Sequence, residues 1–205
     1  LGGAPVNFAY WCSRLGAEGY PVSAAGNDNL GQEAFEQLVG TGIDLSYMQR
    51  NALPTGRVNV TLSGKGIPEY DIVEEVAWDA LEADAETLGL ATQADAVCWG
   101  SLAQRSEVSR KAIAAILRAT RPECLKVFDI NIRQHWYNRE IVTASLRQAD
   151  VLKLNEDELP VVARFFGLEG SAERLIEQLV ERFSLRYVVF TEGSRGSRVT
   201  AADGR

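Results

Sequence analysis

Val151-Leu152-Lys153-Leu154-Asn155-Glu156-Asp157-Glu158 is the stretch on which the fold turns. Its first four residues form a short apolar run of strand character. Asn155 followed three residues later by Glu158 has the spacing of a capping box, the pattern that opens a helix. A strand that feeds directly into a helix returns the next strand parallel, through a crossover. Ala96–Trp99 and Leu125–Asp129 before it, and Tyr187–Thr191 after it, are similar runs separated by helical stretches. The chain is therefore predicted to be α/β, with a doubly wound, mostly parallel sheet flanked by helices. In the helix expected from Ser171, residues Leu175, Ile176, Leu179, Val180 and Phe183 share one face, away from Glu173, Glu177 and Glu181. Burying those five contributes roughly 8 to 15 kcal/mol before conformational entropy is subtracted.

Toward the N-terminus, Pro5 suits the first turn of a helix whose apolar face is expected to be Phe8, Ala9, Trp11, Cys12 and Leu15, with Gly16 as its stop. Residues 20–25 read as a strand leading into Gly26-Asn27-Asp28-Asn29 and a helix over 30–39, closed by Gly40 and Gly42. Residues 55–63 alternate Val58, Val60 and Leu62 against Arg57, Asn59 and Thr61. Gly64-Lys65-Gly66 turns the chain and residues 67–73 run back, which predicts a β-hairpin with one wet face. No repeat, low-complexity tract or linker interrupts the sequence, so a single domain spanning 1–205 is expected, with the hairpin inserted around 54–73.

Composition narrows the partners. The 205 residues are 46% hydrophobic and 24% charged, and 28 Asp and Glu against 21 Lys and Arg leave a net charge of −7. A polyanion is repelled by such a chain, so no nucleic acid partner is expected. Cys12, Cys98 and Cys124 lie in no metal-binding spacing, which predicts reduced thiols and no zinc. No apolar run approaches the ~20 residues of a membrane span and no signal peptide is present, so a soluble, cytoplasmic protein without a membrane partner is expected. The single methionine is Met48 and the chain opens at Leu1 on two glycines, which predicts that it begins, and ends, inside a longer protein.

Ligands of an open parallel sheet bind at the carboxyl ends of its strands. Asp129, Asn131 and Arg133 close one strand, and a spacing of two places Asp129 and Asn131 on one side if the strand continues that far; a loop with surface polar groups is the plain alternative. Asn155 and Glu158 cap a helix, and a carboxylate fixed there is also able to order Mg²⁺ through water, the two roles being compatible. Thr191-Glu192-Gly193-Ser194-Arg195-Gly196 lets backbone N–H groups approach an anion or nucleotide closely, although any tight turn uses glycine. Gly2-Gly3-Ala4-Pro5-Val6-Asn7 combines close backbone approach with an amide that both donates and accepts, as sugar hydroxyls require; a plain helix start is the alternative. His135, beside Trp136 and Tyr137, reads as a packing or surface residue, and nothing supports Ser/His/Asp chemistry.

In this order the motifs resemble the ribokinase-like, or PfkB, carbohydrate kinases along nearly the whole chain. Gly2 to Ala9 resembles the family's first signature, Gly26-Asn27-Asp28-Asn29-Leu30-Gly31 its GxDxxG turn, and Pro54-Thr55-Gly56 with Pro68-Glu69-Tyr70 its β-lid. Phe128-Asp129-Ile130-Asn131-Ile132-Arg133 and Trp99-Gly100-Ser101-Leu102-Ala103-Gln104-Arg105 look most like fructokinases. Asn155 with Glu158 resembles the NxxE motif, and Thr191 to Gly196 the ATP-contacting turn.

The resemblance implies in-line transfer of the γ-phosphoryl of ATP to a sugar hydroxyl, fructose first, with Mg²⁺. Gly2, Gly3, Asn7, Asp28, Gly100, Asp129, Asn131 and Arg133 would serve the sugar. Asn155, Glu158, Thr191, Gly193 and Gly196 would serve the nucleotide, Glu158 reaching the metal through water. The lid often forms a dimer contact in this family, so the implied partners are a small sugar and a second copy of the chain. The family's first strand and its GAGD motif, with the general-base aspartate, are expected outside Leu1 and Arg205. Losing such a base costs ~10² to 10⁴ in rate, so the 205 residues alone are expected to be inactive. The open alternatives are a sugar- or nucleotide-binding protein without catalysis and a kinase for another sugar or a nucleoside.

Overall fold

The computed structural model describes residues 3–62 and 68–202, and of residues 62 and 68–70 the backbone alone. Gly2 and the expected turn at Gly64-Lys65-Gly66 lie outside the described residues. The chain divides into two compact units, Leu1–Thr87 with Ser106–Ala112, and Leu88–Arg105 with Ile113–Arg205.

In the first unit, helix α1 (Ala4–Arg14) starts after Gly3, whose φ of 124° is a conformation open to glycine, and carries proline in its first turn. Ala9 packs with Leu38 and Ile43. The expected apolar face is corrected here: Trp11 and Leu15 are 62% and 84% exposed, and Phe8 is exposed with them. A Cβ on Gly19 would lie 2.1 Å from the Ala9 carbonyl oxygen. The following chain thus lies directly on the helix backbone, and only the small-residue side of α1 allows that approach.

Strand β1 (Ser23–Gly26), helix α2 (Asn29–Val39) and strand β2 (Met48–Asn51) form a parallel strand–helix–strand unit. β1 starts later than predicted, past Pro21, which has no N–H to give a ladder. β2 was unforeseen: Met48-Gln49-Arg50-Asn51 has no apolar alternation and is a strand through its pairing with β1. Strands β3 (Val58–Leu62) and β4 (Pro68–Ile72) make the predicted antiparallel hairpin. Its expected single wet face is corrected, since Val58 and Val60 are 50% and 57% exposed, and Asn59 and Thr61 opposite them are exposed too. The hairpin's root is firm: Ala77 N donates to the Pro54 carbonyl at 2.8 Å, and a Cβ on Gly56 would fall 2.2 Å from the Trp78 indole nitrogen.

Helix α3 (Ala85–Gln93) spans the division between the units. The second unit then carries strand β5 (Ala96–Trp99) and takes the later turns of helix α4 (Glu107–Ala119). Strand β6 (Leu125–Asp129), helix α5 (Arg139–Leu146), strand β7 (Val151–Asn155), helices α6 (Glu158–Phe166) and α7 (Ala172–Phe183), and strands β8 (Tyr187–Thr191) and β9 (Ser197–Ala201) complete it. The sheet runs β5-β6-β7-β8-β9, parallel except for β9, so the α/β class with a mostly parallel sheet holds.

Phe128, Ile130, Leu146, Leu152, Leu154, Leu179 and Val188 are fully enclosed in one cluster, with Leu175 and Ile176 beside them. Val180 and Phe183 are half-buried against it. The edge strand β9 was also unforeseen. Its Arg198 donates to Glu173 of α7, which holds that carboxyl down to about 2.

Candidate functional site

All four parallel strands of the second unit end at one edge of its sheet, so their closing residues form a row. At the end of β5, a Cβ on Gly100 would lie 3.1 Å from the Asp129 carbonyl oxygen, and the absence of one lets the two strand ends approach. Ser101 donates to the Ile130 carbonyl through its N–H at 3.3 Å and its hydroxyl at 2.6 Å.

Asp129 closes β6. Register sets it beside Lys153 of β7, whose ammonium donates to Asp129 Oδ1 at 3.0 Å; the side chains are 23% and 32% exposed. Beyond Asp129 the pleat stops. Asn131 has φ 44°, so the alternation that put Asp129 and Asn131 on one side does not apply. A left-handed turn places Asn131 instead, with its Cβ 3.9 Å from the position of a Cβ on Gly100. Arg133 is exposed, and its guanidinium donates to the Ile132 carbonyl at 2.7 Å. The partner of Asp129 is therefore Lys153 rather than Arg133.

At the end of β7 the capping box is present in full. Asn155 Oδ1 accepts from the N–H of Asp157 and of Glu158, both at 2.9 Å, and Glu158 Oε2 accepts from Asn155 N at 2.9 Å. Glu158 is buried, at 4% exposure, and its other oxygen accepts from Ile132 N at 2.8 Å. With both oxygens turned to backbone donors, Glu158 does not fit the role of ordering Mg²⁺. Among the described residues no group of three His, Cys, Asp or Glu side chains is placed to hold a metal.

The end of β8 suits a nucleotide better. Thr191 pairs with Asn155 in register, and its carbonyl accepts from Glu156 N at 3.2 Å. The turn to β9 needs positive φ at Gly193 (57°) and Gly196 (101°), and a Cβ on Gly196 would meet nothing within 4 Å. Open backbone of that kind admits a close ligand. Arg195 is paired with Glu156 across the turn. His135 is exposed, its ring against Trp136, as a surface residue should be.

In the first unit, Asn7 is exposed on α1, one turn past Gly3, whose carbonyl accepts its N–H at 3.0 Å. Asp28 caps α2 and does more. Its Oδ1 accepts from Gly31 N at 2.8 Å and from the Thr55 hydroxyl at 2.6 Å, and its Oδ2 from Thr55 N at 2.8 Å. The Thr55 hydroxyl in turn accepts from Gly26 N at 2.9 Å. The GxDxxG turn is thus tied to the root of the hairpin.

Sequence reasoning placed Thr55 in the lid motif without its bonds to Asp28, and gave Lys153 no role. Lys153 was legible in principle, since it lies two residues before Asn155 and so shares its side of the strand.

The Thr55 hydroxyl first, then the Thr55 and Gly31 amides, hold the Asp28 carboxyl below the usual carboxylate range. A depressed folded-state value means stability present above the ordinary range near ~3.9 and lost as pH falls toward the lowered value. Unfolding midpoints measured from about pH 5 to pH 2 are expected to fall less steeply in Asp28→Asn than in the parent. Parallel curves would show that the clamp does not titrate with folding.

Residues 1–205 match the family described as pfkB family carbohydrate kinase. The fructokinase of Escherichia coli is 28% identical over 210 residues, 95% of this chain and 64% of that protein. The uncharacterized sugar kinase PH1459 of Pyrococcus horikoshii is 28% identical over 165 residues, 77% of this chain and 53% of that protein. Its structure in complex with ATP matches with a TM-score of 0.80 at 24% identity, covering 98% of this chain and 64% of the other. A fructokinase of Vibrio cholerae, solved with fructose, ADP and calcium ion, matches with a TM-score of 0.78 at 23% identity, over 98% and 65% of the two chains. The chain thus spans between about half and two thirds of the length of these relatives.

Proposed function

The chain belongs to the pfkB family of carbohydrate kinases, and on that premise we propose that the intact protein transfers the γ-phosphoryl group of ATP to a hydroxyl of fructose. The observation that carries this reading is the row of strand ends holding Gly100, Asp129, Asn155 and Gly193. There a carboxylate, an amide and open glycine backbone share one edge of a parallel sheet.

Phosphoryl transfer asks the protein mainly for positioning and charge complementarity. Gly2, Gly3 and Asn7 bind sugar hydroxyls, Asn7 with an amide that donates and accepts. Asp28 holds the sugar-side turn to the root of the hairpin, through Thr55. Asp129, oriented by Lys153, and Asn131 face the acceptor, and Arg133 supplies positive charge beside them. Asn155, Thr191, Gly193 and Gly196 line the nucleotide. ATP supplies the phosphoryl group and Mg²⁺ accompanies its phosphates. In this reading the hairpin is the lid, and a lid that excludes water suppresses ATP hydrolysis. Its exposed Val58 and Val60 support a homodimer through the same element, since an apolar row open to water is a disposition to association.

A coupled assay of ADP release against fructose, ribose, 2-keto-3-deoxygluconate and nucleosides tests the reading. Fructose is expected to turn over fastest, and Asn7→Ala to raise the fructose KM by about 10- to 100-fold while the ATP KM stays within about threefold. Sugar and ATP binding without turnover would mark a binding protein and sink the proposal.

A further inference from the structure

Glu158 is a carboxylate shut away from water, and such a group persists only where its lone pairs are satisfied. Ile132 N and Asn155 N satisfy it, one at each oxygen. The two donors belong to different strand ends. Asn155 closes β7, whereas Ile132 lies in the chain leaving β6, immediately after Asn131. Asn131 is left-handed at φ 44°, a conformation that asparagine tolerates better than most residues but that is still one of several open to it, so its surroundings select it. The hydrogen bond from Ile132 to the buried carboxylate restrains that turn, and bonds to a carboxylate exceed neutral ones. On the other side, Ile130 N donates to the Lys153 carbonyl at 3.1 Å, so the turn is fixed at both of its flanks to β7 and its helix.

Resting on the kinase reading above, we propose that Glu158 is a positioning residue: its carboxylate pins the left-handed turn at Asn131 to the start of α6. It thereby sets Asp129 and Arg133, on the acceptor side, against Asn155 on the nucleotide side, in place of ordering a metal ion. The chemistry of the two oxygens separates the roles. Glutamine keeps the size of glutamate but offers one acceptor and one NH₂ donor, so facing two N–H groups it must leave one unpaired. Aspartate keeps the charge but is one methylene short and cannot span both donors. A metal role through water requires the charge and tolerates a change of reach, whereas a pin requires both acceptors and the reach.

The test combines hydrogen exchange and kinetics on the intact protein, with Glu158→Gln and Glu158→Asp side by side. In Glu158→Asp the Ile132 amide, and in Glu158→Gln either the Ile132 or the Asn155 amide, is expected to exchange about tenfold or more faster. Amides of Val162 and Phe166, inside α6, keep their protection and report that the helix still folds. The fructose KM is expected to rise about 10- to 100-fold, and half-saturation by Mg²⁺ to stay within about threefold. Should Glu158→Gln not fold, Glu158→Asp alone decides. Unchanged Ile132 exchange in Glu158→Asp overturns the proposal, as does a tenfold rise in the Mg²⁺ requirement with the sugar KM unmoved. If the parent phosphorylates no sugar at all, the kinase reading falls by itself, and the Ile132 amide still settles whether Glu158 is the pin.

Discussion

Replacing Gly31 by alanine is expected to destabilise the protein by about 2 to 4 kcal/mol, read as a lowered denaturant midpoint at constant slope. Glycine inside a helix is unfavourable by roughly 1 kcal/mol relative to alanine, so on propensity alone the substitution should help. Contact reverses the sign. A Cβ on Gly31 would sit 2.2 Å from the Gly26 carbonyl oxygen and 2.8 Å from the Thr55 hydroxyl. The first of these is backbone and cannot swing aside, so α2 must move away from β1. That movement draws Asp28, which accepts from Gly31 N, away from Thr55 and opens the clamp between them. Gly40 supplies the control: it has ordinary helical φ of −63°, and a Cβ there would meet nothing nearer than 3.5 Å. Gly40→Ala is expected to be neutral or stabilising by a few tenths to about 1 kcal/mol. If the two alanine variants unfold at the same midpoint, the close approach at Gly31 does not restrain the fold.

The elements that chemistry marks locally were legible. A capping box announced the end of β7 and the start of α6, and apolar runs announced β5, β6 and β8, because each of these signals lies in a few adjacent residues. What escaped depends on partners distant in sequence. β2 is polar and becomes a strand through its ladder with β1, and β9 through its ladder with β8. The bulky residues of α1 suggest one core face, but packing selects Ala9, the residue that lets Gly19 approach. At the candidate site the same division holds. Asp129, Asn155 and Gly193 were visible as polar or glycine punctuation after strands. The left-handed turn at Asn131 and the Lys153 partner of Asp129 required the register of β6 against β7.

That register leads to the largest effect expected on the reaction. Lys153→Met keeps the length of the side chain, removes its charge, and leaves the Asp129 carboxylate partly covered with no cation on Oδ1. Folding should lose about 1 to 2 kcal/mol, since the pair is partly covered and only partly screened by solvent. On the proposed kinase reading catalysis should suffer more, because misplacing Asp129 by about 1 Å where it would face the acceptor costs ~10²-fold, and the freed carboxylate would also repel the polyphosphate. A loss of about 10²-fold in kcat/KM for fructose is therefore expected. Lys153→Arg keeps the charge in a different shape and should recover part of that loss. The decisive comparison is a double-mutant cycle with Asp129→Asn. If Lys153 works by orienting Asp129, its removal in the Asp129→Asn background should cost no more than about twofold. A full second loss in that background would mean that the ammonium acts on the ligand directly and that the pair at the ends of β6 and β7 is not a unit.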